Sequence, residues 1–299
     1  MDTTNKPRFV FVLALLLLGV GLSGCGGDNE LPVIEVTGPL PETITFVNGD
    51  VTLAGTLDLP AGEGPFPGIV TIHGSPPLTR NDIYNLRISH FFVQHGYAVL
   101  RYDKRGAGES TGKYPGVGTE DGEAALNDLA DDALAGVEFL KNHDLVDPDR
   151  IGLAGHSQAG WIIPLAASKS PDVAFMLISS GPTCTVGQEI YSSELTEEGT
   201  SLQEASSMAR DFAGPHGFDP LPSLQKLEVP GLWLLGAQDS SIPIPLTIEI
   251  LDSVIADHDK DFSYIVYPNK GHGWRDEDTG QVYPVLYDSL EWLENKLGD

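Results

Sequence analysis

One stretch constrains this chain more than any other: Arg150-Ile-Gly-Leu-Ala-Gly-His-Ser-Gln-Ala-Gly160. Ile151–Ala154 is a short apolar run of the kind buried in a parallel sheet. It meets the turn 155–160 and then Trp161–Ala167, which reads as a helix. A strand that passes directly into a helix at a serine leaves that serine a cramped backbone. The residues two before and two after must be small, and Gly155 and Ala159 are. The serine oxygen then stands exposed at the strand end. The helix that follows aims its unpaired N–H groups at whatever charge develops there. Such a turn is a nucleophile elbow, and Ser157 is its candidate nucleophile. A Gly-x-Ser-x-small pattern also arises by chance, so the rest of the chain must carry the argument.

The remaining elements alternate. Thr43–Val47, the turn Asn48-Gly49 and Val51–Leu57 read as a β-hairpin, because Asn-Gly tolerates the positive φ of a tight turn. Ile69–Ile72 is a buried strand that ends at His73-Gly74. A helix over 85–94, a strand over 97–102 and the turn Asp103–Ser110 follow. The helix from about 121 to 142 is the clearest. Leu126, Leu129, Ala133, Val137 and Leu140 recur at helical spacing, with Asp128, Asp131, Asp132 and Glu138 expected on a solvated face. A strand over 173–179 precedes residues 182–226, which break the rhythm and carry two short helices, 188–198 and 201–212. That segment is expected to be an inserted lid. Strands over 231–235 and 262–267, a helix near 245–255 and a last helix over 285–297 complete the chain. Strands alternating with helices at this spacing imply an α/β protein with a mostly parallel, eight-stranded sheet covered on both faces.

A length of 299 residues suits one large α/β domain. The formal charge of −26 argues against nucleic acid as a partner, since a polyanion would be repelled. The histidines outside the strand ends (His90, His95, His143, His216, His258) show no metal-ligand spacing, and no glycine-rich nucleotide fingerprint is present. No metal or cofactor is expected.

Residues 1–24 have a positive start at Lys6 and Arg8 and a short apolar core, Phe9–Val20, too short for an ordinary membrane span. The segment reads as a secretory signal. Its end, Leu22-Ser-Gly-Cys25, resembles the bacterial lipobox. That resemblance implies that Cys25 becomes the lipid-bearing first residue of an exported, membrane-anchored protein. Residues 25–41 then form a tether, and the domain occupies 42–299. With Cys25 lipidated, Cys184 has no partner for a disulfide.

Ligands meet parallel sheets at the ends of the strands. Three such ends carry Ser157, Asp239 and His272, in the chain order of α/β-hydrolases. A serine hydroxyl is a weak nucleophile near neutrality. His272 would take its proton, and Asp239 would hold the imidazole in the right tautomer. An oxyanion hole needs two backbone N–H groups. Gln158, after the nucleophile, supplies one. The other comes from the loop His73-Gly-Ser-Pro-Pro77. Pro76 and Pro77 have no N–H, so the donor falls to Ser75, with Gly74 as the alternative.

At these residues the chain resembles an α/β-hydrolase, of the serine aminopeptidase or acylaminoacyl-peptidase-like esterase group. The likeness covers roughly 42–299. It rests on His73-Gly-Ser75, Arg101-Tyr-Asp-Lys-Arg-Gly-x-Gly-x-Ser110, Gly155-His-Ser-Gln158, Gly236-x-x-Asp239 and Gly271-His272. Two departures stand out. Ala159 replaces the usual second glycine of the elbow, and Pro76 replaces a glycine common after His-Gly-Ser. The resemblance implies a serine hydrolase acting on a small ester or a short peptide. An aminopeptidase would need an acid for the substrate amine, and Glu189, Glu194 and Glu197 in the insertion are candidates. A third possibility is a surface lipoprotein that keeps the fold as a binding module. His156 is expected to pack, His73 to fix its loop by hydrogen bonding, and Asp103 and Arg105 to tie loops together. His216 is expected at the surface. Asp276 and Asp278 rival Asp239 but follow His272, against the expected order.

Overall fold

The computed structural model describes residues 39–298. The signal segment, Cys25 and nearly all of the tether lie outside the described residues. β1 (Glu42–Asn48) and β2 (Val51–Asp58) form the expected hairpin. Asn48 pairs with Val51, so the two-residue loop is Gly49-Asp50 rather than Asn48-Gly49. Gly49 takes the positive φ, 56°, that a tight hairpin turn demands of its first residue.

β3 (Phe66–Ile72), β4 (Ala98–Tyr102), β5 (Val146–His156), β6 (Met176–Ser179), β7 (Gly231–Gly236) and β8 (Phe262–Tyr267) complete an eight-stranded sheet in the order β1-β2-β4-β3-β5-β6-β7-β8. The hairpin joins β4 antiparallel, and the last six strands are parallel. β6 is shorter than the expected 173–179, because ladder pairing starts only at Met176.

Period-two alternation splits the sheet residues between two cores. Val70, Leu100, Leu153, Ile178 and Trp233 face α2 (Gly122–Lys141), α3 (Ala159–Lys169) and α7 (Ile244–His258). Their neighbours Ile69, Val99, Ala154, Leu177 and Leu232 face α1 (Ile83–Gln94) and α8 (Val285–Leu297). These strands are buried on both sides and so read as continuous apolar runs.

The expected solvated face of α2 needs one correction. Asp132 is fully buried, where it accepts from Arg105 Nε and Nη2 (2.7 and 2.8 Å) and from Asn48 (2.9 Å). Helical spacing alone did not reveal that the turn after β4 folds over this part of the helix. The insertion holds three helices, not two: α4 (Val186–Glu197), α5 (Leu202–Arg210) and α6 (Leu221–Lys226). Leu246 N–H donates to Ser206, and Thr183 donates to the Thr247 carbonyl, which fastens the insertion to α7.

The chain leaves β3 for β4 on one side and returns to β5 on the other. That reversal opens a crevice at the carboxyl ends of β3 and β5, where His73-Gly74 and Ser157 lie.

Candidate active site

Ser157 follows β5 and is held at φ 61°, a left-handed backbone rare for a side chain with a Cβ. The tightness of the turn is measurable. A Cβ on Gly155 would sit 2.5 Å from the Ala159 Cβ and 2.6 Å from the Ile72 carbonyl oxygen. One on Gly160 would meet the Gly181 backbone at 2.6 Å. The small residues therefore let β3, β5 and α3 approach one another.

The three strand-end residues converge. His272 Nε2 lies 3.1 Å from Ser157 Oγ, and its Nδ1 lies 3.0 and 3.1 Å from the two Asp239 carboxylate oxygens. Asp239 is buried, and its Oδ1 also accepts the N–H groups of Ser241 and Ile242 at 2.9 and 3.0 Å. An acceptor-only carboxylate makes Nδ1 the protonated nitrogen. Nε2 is then left bare to receive the Ser157 hydroxyl.

The loop that carries His272 is anchored from below. Trp274 Nε1 donates to Ser179 Oγ (2.7 Å), and Ser180 Oγ donates to the His272 carbonyl (2.8 Å). Fully buried Lys270 donates to Ser180 Oγ (2.6 Å) and to the Gly271 carbonyl (3.3 Å). Burial pulls the Lys270 ammonium down to about 8.

The oxyanion loop crosses directly over the serine. A Cβ on Gly74 would lie 3.6 Å from Ser157 Cβ and 4.0 Å from its Oγ. Among the described residues, the N–H groups of Ser75 and Gln158 donate to no protein acceptor. Gly74, Ser75, Pro76, Tyr84, His156, Ser157 and His272 border a cavity of about 250 Å³. A larger cavity of about 630 Å³ lies on the other side of Asp239, between the insertion and the turn after β7. Insertion residues Ser192, Thr196 and Leu202 line the larger cavity, and none lines the one at Ser157.

His156 is buried and stacks on Tyr84, ring centroids 3.9 Å apart. Against expectation, neither ring nitrogen of His73 has a hydrogen-bond partner among the described residues, and the ring packs edge-on against Tyr102 instead. Burial drops the His73 imidazole to about 3, so it stays neutral. Asp103 accepts the N–H groups of Arg80 and Glu109, tying two loops as expected. His216 is exposed, as expected, and its contacts lie within the insertion: its ring meets Thr185 Oγ1 at 3.1 Å and packs edge-on against Phe212. The Asp276 carboxylate accepts from Asp278 and Thr279 in its own loop, and Asp278 is exposed. Glu194 and Glu197 are exposed, whereas Glu189 is half-buried. Burial, reinforced by the Asp239 charge, raises the Glu189 carboxyl to about 7. Sequence reasoning passed over Lys104, Tyr114, Ser180 and Lys270. A lysine in a polar turn gives no sign of burial until the fold closes over it.

The family model described as the prolyl oligopeptidase family matches residues 84–299. Acylamino-acid-releasing enzyme 1 of Oryza sativa subsp. japonica is 23% identical over 221 residues, covering 69% of this chain and 27% of its own length. Esterase EstD of Thermotoga maritima is 26% identical over 245 residues, covering 72% and 56%. This chain thus spans only about a quarter to just over half of those relatives. Among solved structures, an esterase of Pyrococcus furiosus superposes with a TM-score of 0.63 at 20% identity, covering 87% of this chain and 91% of its own. The acylaminoacyl peptidase of Pyrococcus horikoshii gives 0.63 at 19%, covering 86% and 41%. Likeness at such identities speaks for the fold. Since the family model spans most of the chain, including all three converging strand ends, this chain belongs to the prolyl oligopeptidase family and has the α/β-hydrolase fold.

Proposed function

We propose that this chain is an exported serine hydrolase that cleaves carboxylic esters through an acyl-enzyme on Ser157. The observation that carries the reading is the unbroken chain of contacts from Asp239 through His272 to Ser157 Oγ. In the first half-reaction His272 Nε2 takes the serine proton as Oγ attacks the ester carbonyl. The carbonyl oxygen becomes an oxyanion, which the Ser75 and Gln158 N–H groups receive. Collapse expels the alcohol with the proton from His272. A water molecule, deprotonated by the same imidazole, then releases the acid. Asp239 keeps the imidazole in its productive tautomer and stabilises its cationic form. The snug cavity at Ser157 favours short acyl or alkoxy groups.

Cleavage of aminoacyl or peptide amides by the same triad is the second reading. Of the three candidate acids only Glu189 is withdrawn from solvent and feels the Asp239 charge, although it borders neither cavity. An incoming ammonium would stabilise its charged form. Export and a lipid on Cys25 belong to the proposal through the Leu22–Cys25 pattern.

Ser157→Ala is the test. Turnover of p-nitrophenyl acetate is expected to fall by about 10⁴–10⁶-fold, with the circular dichroism spectrum unchanged. Turnover surviving in that variant would sink the nucleophile assignment. Aminoacyl p-nitroanilides in parallel decide between ester and amide preference. Fluorophosphonate labelling of the wild type tells an enzyme from an inert binding module.

A further inference from the structure

Lys104 lies in the turn that follows β4 and is 1% exposed, yet among the described residues it forms no salt bridge. An ammonium group out of water without a carboxylate partner is costly, and an apolar side chain of similar length would fill the space without that cost. All three of its N–H donors are used instead on carbonyl oxygens. Lys104 Nζ donates to the Gly74 carbonyl at 2.5 Å, to the Ser75 carbonyl at 3.3 Å and to Gln158 Oε1 at 3.2 Å. It also sits 4.1 Å from the centre of the Tyr114 ring, on the ring face that attracts cations. Tyr114 in turn exchanges hydrogen bonds with the Gln158 amide.

These acceptors are not arbitrary. The Gly74 carbonyl and the Ser75 N–H are two ends of one conjugated peptide group. A cation at the oxygen draws electron density from the nitrogen and makes that N–H a stronger donor. The Ser75 carbonyl belongs to the peptide of Pro76, which has no N–H, so only the Gly74–Ser75 peptide passes the effect on. Gln158, held through its side chain, supplies the other unpaired N–H beside Ser157.

We propose that Lys104 is a positioning residue of the oxyanion hole: its ammonium polarises the Gly74–Ser75 peptide and ties it to Gln158, aiming both N–H donors. The proposal rests on the reading that Ser157 is the nucleophile. The positive charge stands behind the hole, on the side away from substrate. Burial lowers the Lys104 ammonium to about 7, so the charge stands there below that pH and fades above it, and it gains its full value only when the oxyanion forms. A residue that merely fastened the loop would not need a charge.

Two variants separate charge from shape. Lys104→Met keeps the length without charge, and Lys104→Gln keeps N–H donors without charge. Fluorophosphonate titration run to completion counts competent Ser157 sites, so a variant that folds only in part is still read per site. Turnover of p-nitrophenyl acetate per site is expected to fall about 10–100-fold in both variants, less than the full loss of an oxyanion donor. KM is expected to stay within about threefold, as befits a contribution confined to the transition state. Inhibition by phenylboronic acid, whose tetrahedral serine adduct needs the same hole, should weaken by the factor lost in turnover. Lys104→Arg should recover part of both. Wild-type turnover and boronate inhibition in Lys104→Gln would overturn the proposal. So would a loss confined to melting temperature and KM. If Ser157→Ala retains turnover, the failure lies with the nucleophile and not with Lys104.

Discussion

Glu189 lies in the first turn of α4, where helix N-terminal N–H groups normally favour a carboxylate. Burial outweighs that help and, with the charge of Asp239, lifts the carboxyl to about 7. Its folded value is therefore above its unfolded one. Protonation favours the folded state, so this contribution is complete below the unfolded pKa and disappears as pH rises through about 7. Glu189→Gln, which is neutral at every pH, should melt about 2–4 °C above wild type at pH 8.5 and level with it at pH 4. Equal melting at both values would show that the carboxyl is solvated. The sequence offers this residue as one of three candidate acids in the insertion. Its distinction from exposed Glu194 and Glu197 is not legible there, because a burial difference within one helix depends on what packs against each face.

At the scale of elements, the elbow works because two backbone segments and a helix meet without side chains between them. Gly155 touches the space of Ala159 and of the β3 carbonyl at Ile72. Gly155→Val must push β3 or α3 aside. Overpacking of this kind costs about 1–3 kcal/mol, so the melting temperature should fall by roughly 4–10 °C. Fluorophosphonate labelling of Ser157 should slow with it. Unchanged melting and labelling would mean that the turn has slack that these distances deny. Most of this element was legible beforehand, because a tight turn writes its steric demand into adjacent residues. The partner of Gly160 was not, since Gly181 comes from the far end of β6. The hairpin loop was likewise displaced by one residue from Asn48-Gly49 to Gly49-Asp50. Register is set by pairing across strands rather than by the turn dipeptide alone.

At the scale of the whole molecule, the proposed lipid on Cys25 makes the fate of the chain depend on one residue outside the described ones. Cys25→Ala should move the protein from the membrane fraction to the soluble fraction of its host without changing turnover per site. A variant that still pellets with membranes would remove Cys25 as the anchor. The large negative charge acts at this scale too, as a long-range field that repels polyanions.

The sequence by itself determined the eight-stranded α/β architecture and the three residues that meet at the strand ends. Both are written in local patterns: apolar runs, a steric signature at one turn, and polar residues where those runs stop. Only the tertiary structure decided which buried charges surround them. Asp132 beneath Arg105, Lys270 beneath the His272 loop and Lys104 behind the Gly74–Ser75 peptide all look like surface residues in the chain. A charge is buried or solvated according to segments far away in sequence, and those distances close only when the sheet assembles.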